Sequence, residues 1–114
     1  MPYLKIQTNQ TLNEAAQQAL MKKASATVAK QLSKPENYVM VTFQSSQTML
    51  FAGSDGPLAY LELKSIGLPE SATQNLSDCL CTLMAQELDI EKNRTYVEFT
   101  DAPRHMWGWN GDTF

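Results

Sequence analysis

The chain is written twice, and nothing else in it constrains the fold as strongly. Tyr3-Leu4-Lys5-Ile6 is echoed by Tyr60-Leu61-Glu62-Leu63, 57 residues later. Lys34-Pro35-Glu36-Asn37-Tyr38-Val39 is echoed by Lys92-Asn93-Arg94-Thr95-Tyr96-Val97, 58 residues later. Two near-equal offsets mark a repeated structural unit. Each copy encloses one helically patterned stretch, so the unit reads as strand, helix, strand. Two right-handed crossovers in tandem place both helices on one face of a four-stranded mixed sheet, an α+β fold. The other face is then left uncovered. With Tyr, Met, Val and Leu in the strands, that bare face points to self-association.

The strands are expected at residues 3–8, 38–43, 58–66 and 95–100, where β-branched and aromatic residues partly alternate. A short extra strand is expected at 49–52, before the turn Gly53-Ser54-Asp55-Gly56-Pro57, and an edge strand in the tail 107–114. Thr11-Leu12-Asn13-Glu14 and Ser71-Ala72-Thr73-Gln74 both have the form of a capping box, predicting helix starts at Thr11 and Ser71. Leu76, Leu80, Leu83 and Met84 make one apolar helix face, with Asp78, Thr82 and Asp89 roughly opposite. In the first helix Leu20, Met21, Ala24, Val28 and Leu32 gather on one side, away from Lys22, Lys23 and Lys30. Pro35 disfavours helix at Lys34 and ends it.

At 114 residues the chain is read as a single domain, 1–114. Its net charge of −3, without a Lys/Arg run, gives no electrostatic footing to a nucleic-acid or anionic-membrane partner. No apolar run approaches a membrane span, and MPYLKIQTNQ has no signal-peptide pattern, so a cytoplasmic protein is expected. Cys79 and Cys81 point about 200° apart on a helix, so they should not bridge each other. Two thiols and the lone His105 are too few for a structural zinc site; no metal or cofactor is expected.

Several segments together resemble the macrophage migration inhibitory factor family. They are Met1-Pro2, Lys34-Pro35-Glu36-Asn37-Tyr38, Gly53-Ser54 with Pro57 and Ala59, Ser65-Ile66-Gly67, Arg94-Thr95-Tyr96, Asp101, Gly108-Trp109-Asn110 and Thr113-Phe114. The match runs from end to end. It implies a homotrimer whose sheets form a barrel-like assembly, and a keto–enol tautomerase for phenylpyruvate-like or dopachrome-like substrates, that is, small aromatic α-keto acids. It also implies roles for residues. Pro2 would be the base and Lys34 the cation that meets the substrate carboxylate, while Ile66 would offer a backbone N–H. Tyr96 would come from the neighbouring subunit, and Tyr38, Trp109 and Phe114 would frame an apolar cleft. Family members can leave the cell without a signal peptide.

The chemistry fits those residue types. Tautomerisation needs a base that is neutral near pH 7, and an α-amino group starts lower than any lysine. Burial and a nearby Lys34 charge would lower a proline amine further. Pro2 can serve only once Met1 is removed, because its nitrogen is otherwise an amide.

Some positions depart from the family's pattern. Leu58-Ala59-Tyr60-Leu61 stands where animal members often have Cys-x-x-Cys, so no thiol oxidoreductase activity is expected. Glu98 replaces an asparagine and would repel an anionic substrate, raise the base's pKa or turn away entirely. Trp107 replaces a smaller residue and would narrow the pocket, with Tyr3 crowding the same entrance. Leu12 stands where cytokine members have an arginine, so receptor signalling is not carried over. The alternative reading is a binding or signalling protein of this fold with a vestigial pocket.

Overall fold

A computed structural model describes residues 1–114. Strand β1 (Tyr3–Thr8) leads into helix α1 (Glu14–Leu32) and strand β2 (Met40–Gln44). The second copy is β3 (Ala59–Ile66), α2 (Thr73–Leu88) and β4 (Thr95–Ala102). The sheet order is β2-β1-β3-β4: each copy pairs its own strands in parallel, and β1 and β3 join the copies antiparallel. Both helices cover one face, as the repeat requires. Between them and the sheet Leu4, Ile6, Leu61, Leu63, Leu76, Leu80 and Met84 are almost wholly buried. The antiparallel seam sets Leu4 against Leu63 and Ile6 against Leu61, which makes the two copies one core.

Both helices end alike. Ser33 (φ 52°) and Asp89 (φ 55°) adopt the left-handed conformation and close the helix through their own N–H groups, on carbonyls of Ala29 and Lys30 and of Ala85 and Met84. The starts differ from expectation. The α1 cap is Asn13, whose side chain accepts from the Ala16 N–H at 2.8 Å, rather than Thr11. Asn caps at least as well as Thr, and it stands two residues further on, next to the first helical residue, Glu14. Ser71 does not cap α2; it lies in a 3-10 turn (Glu70–Ala72) that runs into the helix, with the Thr73 hydroxyl turned back to the Glu70 carbonyl.

The strand ends shift as well. Tyr38 belongs to a 3-10 turn (Glu36–Tyr38), so β2 starts at Met40. Residues 49–52 form no strand, only an isolated bridge between Phe51 and Ser54. The tail does not join the main sheet. After a 3-10 turn (Arg104–Met106) it makes a separate hairpin of β5 (Gly108–Trp109) and β6 (Asp112–Thr113). Asn110 (φ 54°) and Gly111 (φ 78°) turn it, the left-handed pair that a two-residue hairpin loop needs.

The uncovered sheet face needs the largest correction. Alternation puts Val41, Phe43, Val97 and Phe99 on the helix side, against the core. The open face instead carries Tyr3, Lys5 and Gln7 beside Met40, Thr42, Gln44, Tyr60, Glu62, Lys64, Tyr96 and Glu98. It is mainly polar and aromatic, with the exposed Met40 as its aliphatic residue. Cys79 and Cys81 are both free on α2, and no helix is long and apolar enough to cross a membrane.

Candidate active site

Pro2 is buried at the head of β1, where its carbonyl accepts from the Met40 N–H at 3.0 Å. It lines a cavity of about 690 Å³ with Tyr38, Trp107, Trp109 and Phe114, all four named from the sequence, and with Tyr3 at its side. The tail hairpin builds the aromatic wall. Trp109 and Phe114 stack with centroids 5.4 Å apart and nearly parallel rings, and Tyr38 meets both edge-on at 5.5 and 5.9 Å. The Phe114 N–H closes the tail by donating to the Trp107 carbonyl at 3.2 Å. Met106, Thr42 and Lys64 also line the cavity and were not anticipated.

Lys34 follows the left-handed turn at Ser33, which aims it at the end of β3. Its ammonium donates to the Ser65 hydroxyl at 2.9 Å and to the Ile66 carbonyl. An ammonium has three N–H donors, so one is left over. Burial lowers the Lys34 pKa, the Arg104 guanidinium lowers it further, and Asp101 acts in the opposite sense. Asp101 is itself fixed by the Leu68 N–H at 3.0 Å. Ile66 is buried at the strand end beside Ala102, so Lys34 holds its carbonyl while its side chain stays out of the cavity wall.

The Met1 amine donates to the Tyr38 carbonyl at 2.7 Å. That amine is held below its usual pKa, first by burial and then by the Lys34 charge.

Tyr96 and Glu98 do not meet Pro2 within one chain. Tyr96 is 63% exposed on β4 and packs edge-on against Phe51 at 4.8 Å. Arg94 clamps that corner by donating to the carbonyls of Phe51, Ser54, Gly56 and Pro57 while lying over the Phe51 ring. Glu98 turns to the Tyr60 hydroxyl at 2.9 Å, and the same hydroxyl lies 3.0 Å from Glu62.

The model of the family described as "Macrophage migration inhibitory factor (MIF)" matches residues 1–114. The chain belongs to the macrophage migration inhibitory factor family. This family sits within the tautomerase superfamily. The chain is 44% identical to a macrophage migration inhibitory factor homolog of Brugia malayi, covering 100% of this chain and 99% of that one. It is 30% identical to the mouse factor over the same shares. Among solved structures, the homologue from Prochlorococcus marinus superposes with a TM-score of 0.93 at 40% identity, over 98% of each chain. The family resemblance read from scattered motifs therefore extends to the whole backbone.

Proposed function

We propose that the protein is a keto–enol tautomerase for small aromatic α-keto acids, with the Pro2 amine as general base after removal of Met1. The observation that carries this reading is the aromatic-walled cavity around Pro2, with Lys34, off the cavity lining but keeping a spare donor, near enough for its charge to act on the chain's N-terminal amine. The substrate carboxylate takes the third N–H of Lys34, and the aryl ring lies against Tyr38, Trp109 and Phe114. The neutral amine accepts the enol proton, and the proton is returned to C3 to give the ketone; the reverse order gives the enol. Neither direction consumes a co-reactant, which agrees with the absence of a cofactor requirement in the sequence reading.

The site is completed in a homotrimer, with Tyr96 and Glu98 supplied by a neighbouring subunit. Their distance from Pro2 within one chain, and the exposure of Leu50 (70%) and Tyr96 (63%), support that assembly. Glu98 is already engaged by Tyr60, which weakens its repulsion of an anionic substrate.

The alternative is a binding protein of the same fold. In a chain that keeps Met1 the amine is tied to the Tyr38 carbonyl and Pro2 is locked as an amide, so the tautomerase reading requires Met1 to be removed. The test is phenylpyruvate tautomerisation, followed by absorbance, with native protein and Pro2→Gly. The tautomerase reading expects turnover by the native protein and a loss of about 100-fold or more in the variant, the scale of a general base. No turnover by chains confirmed to begin at Pro2 would favour a binding protein.

A further inference from the structure

The cavity that holds Pro2 has two unlike ends. The aromatic wall of Tyr38, Trp107, Trp109 and Phe114 is one. The other runs onto the open sheet face, where Tyr3, Thr42 and Lys64 form its floor. The antiparallel register places Lys64 directly across from Tyr3, and the Tyr3 hydroxyl is occupied by Thr42 at 3.1 Å. Lys64 is the one charged side chain on the cavity lining, and no acidic side chain lines the cavity. Its nearest acidic partner, Glu62, stands at 3.9 Å, and the lysine side chain is 46% exposed. A pair at that distance and exposure neutralises little.

Lys34 lies behind the same strand end, bound to Ser65 and Ile66, the two residues that follow Lys64. Arg104, on the turn leading to Met106 and Trp107 of the cavity wall, makes no ion pair or side-chain hydrogen bond within the chain. The strand end thus gathers three cations. Asp101 faces Lys34 as the local carboxylate, already bound by the Leu68 N–H. One substrate carboxylate on Lys34 would leave the charge on the cavity floor unmatched.

We propose that Lys64 is a second anion anchor, and that the site prefers an aryl-bearing acid with two carboxylates over one with a single carboxylate. The first carboxylate goes to Lys34 as in the proposed function, on which this inference rests. The ring goes to the aromatic wall, and the second carboxylate to the Lys64 ammonium. A charge-assisted hydrogen bond in a half-open site is worth about a tenfold gain in affinity.

The test uses inert ligands, so it does not depend on turnover. Binding of phenylacetate, phenylsuccinate and 1,4-phenylenediacetate is measured by the fluorescence of Trp107 and Trp109 at low salt, with native protein, Lys64→Gln and Lys64→Arg. At least one of the two diacids should bind native protein about tenfold more tightly than phenylacetate. Lys64→Gln should reduce that ratio to about twofold, and Lys64→Arg should retain most of it. Equal binding of mono- and diacids, or an unchanged ratio in Lys64→Gln, overturns the assignment. An intact ratio in a protein that does not turn over phenylpyruvate would refute the tautomerase reading and leave the anion anchor standing.

Discussion

The two copies of the repeat place the same residue types at corresponding points and make different things of them. In the first copy Lys34 is drawn in against Ser65 and Ile66, and Tyr38 is enclosed by Trp109 and Phe114. In the second copy Lys92 is a surface lysine 3.2 Å from an exposed Asp78, and Tyr96 stands open to solvent. The helices end alike and the strands pair alike, so the backbone unit does not account for the difference. What differs is the segment laid over each strand end. The tail hairpin folds over Tyr38, while the turn held by Arg94 backs Tyr96 from one side only. A repeat thus supplies two equivalent frames, and non-repeated chain decides which becomes a cavity.

Exchanging the lysines should break this symmetry most visibly. Lys34→Ala is expected to lower kcat/KM for phenylpyruvate by about 10- to 100-fold, the loss of one hydrogen bond between charged groups. Lys92→Ala should leave it within about twofold and alter stability by at most about 1 kcal/mol, as for an exposed ion pair. Equal effects of the two substitutions would mean that the tail has not made the copies different.

Arg94→Ala comes next. It removes the donor to four carbonyls of the 51–57 turn. A loss of about 1–3 kcal/mol in urea unfolding is expected, with Phe51 and Tyr96 released from each other. An unchanged midpoint would show that the turn is held by other contacts.

The smallest effect is a pH dependence of opposite sign in the two copies. The Lys34 pKa is lowered below 10.5 on folding by burial and by Arg104, so the unfolded chain binds the proton more readily. Stability contributed by this group therefore rises with pH through the window between its folded value and 10.5. The Tyr60 hydroxyl is raised above its usual 10.0 by burial and by its bonds to Glu98 and Glu62. Its contribution is present below pH 10.0 and lost as pH climbs toward the raised value. Tyr60→Phe should flatten the alkaline loss measured by thermal unfolding, and Lys34→Met should remove the alkaline gain. The same sign for both variants would contradict the assignment.

Much of this was legible before any coordinates. The repeat gave two strand–helix–strand units and both helices on one face, because alternation and helical spacing are local properties. Strand β1 falls at the expected residues for the same reason. The capping residues were harder to place, since Thr11 and Asn13 can each cap a helix and tertiary packing selects the register. The tail was misread although Asn110-Gly111 is a hairpin signal in its own right. Of the Tyr, Met, Val and Leu expected on the open face, Tyr3, Tyr60 and Met40 lie there, whereas Val41, Val97, Leu61 and Leu63 alternate to the helix side. At the site, Pro2, Tyr38, Trp107, Trp109 and Phe114 were found through resemblance to a family. Lys64 and Met106 were missed, because their nearness to Pro2 depends on the pairing of β1 with β3 and on the path of the tail, both non-local.

The central claim is that the chain's own N-terminal amine, set by Lys34 and the aromatic cavity, is the base. Two preparations, identified by intact mass as beginning at Met1 and at Pro2, should be compared for phenylpyruvate tautomerisation across pH. The account predicts activity confined to the Pro2 form, rising to a plateau as the amine loses its proton, with the rise displaced to higher pH in Lys34→Gln. Equal rates from the Met1 and Pro2 forms would contradict it, because an amide nitrogen cannot take the proton.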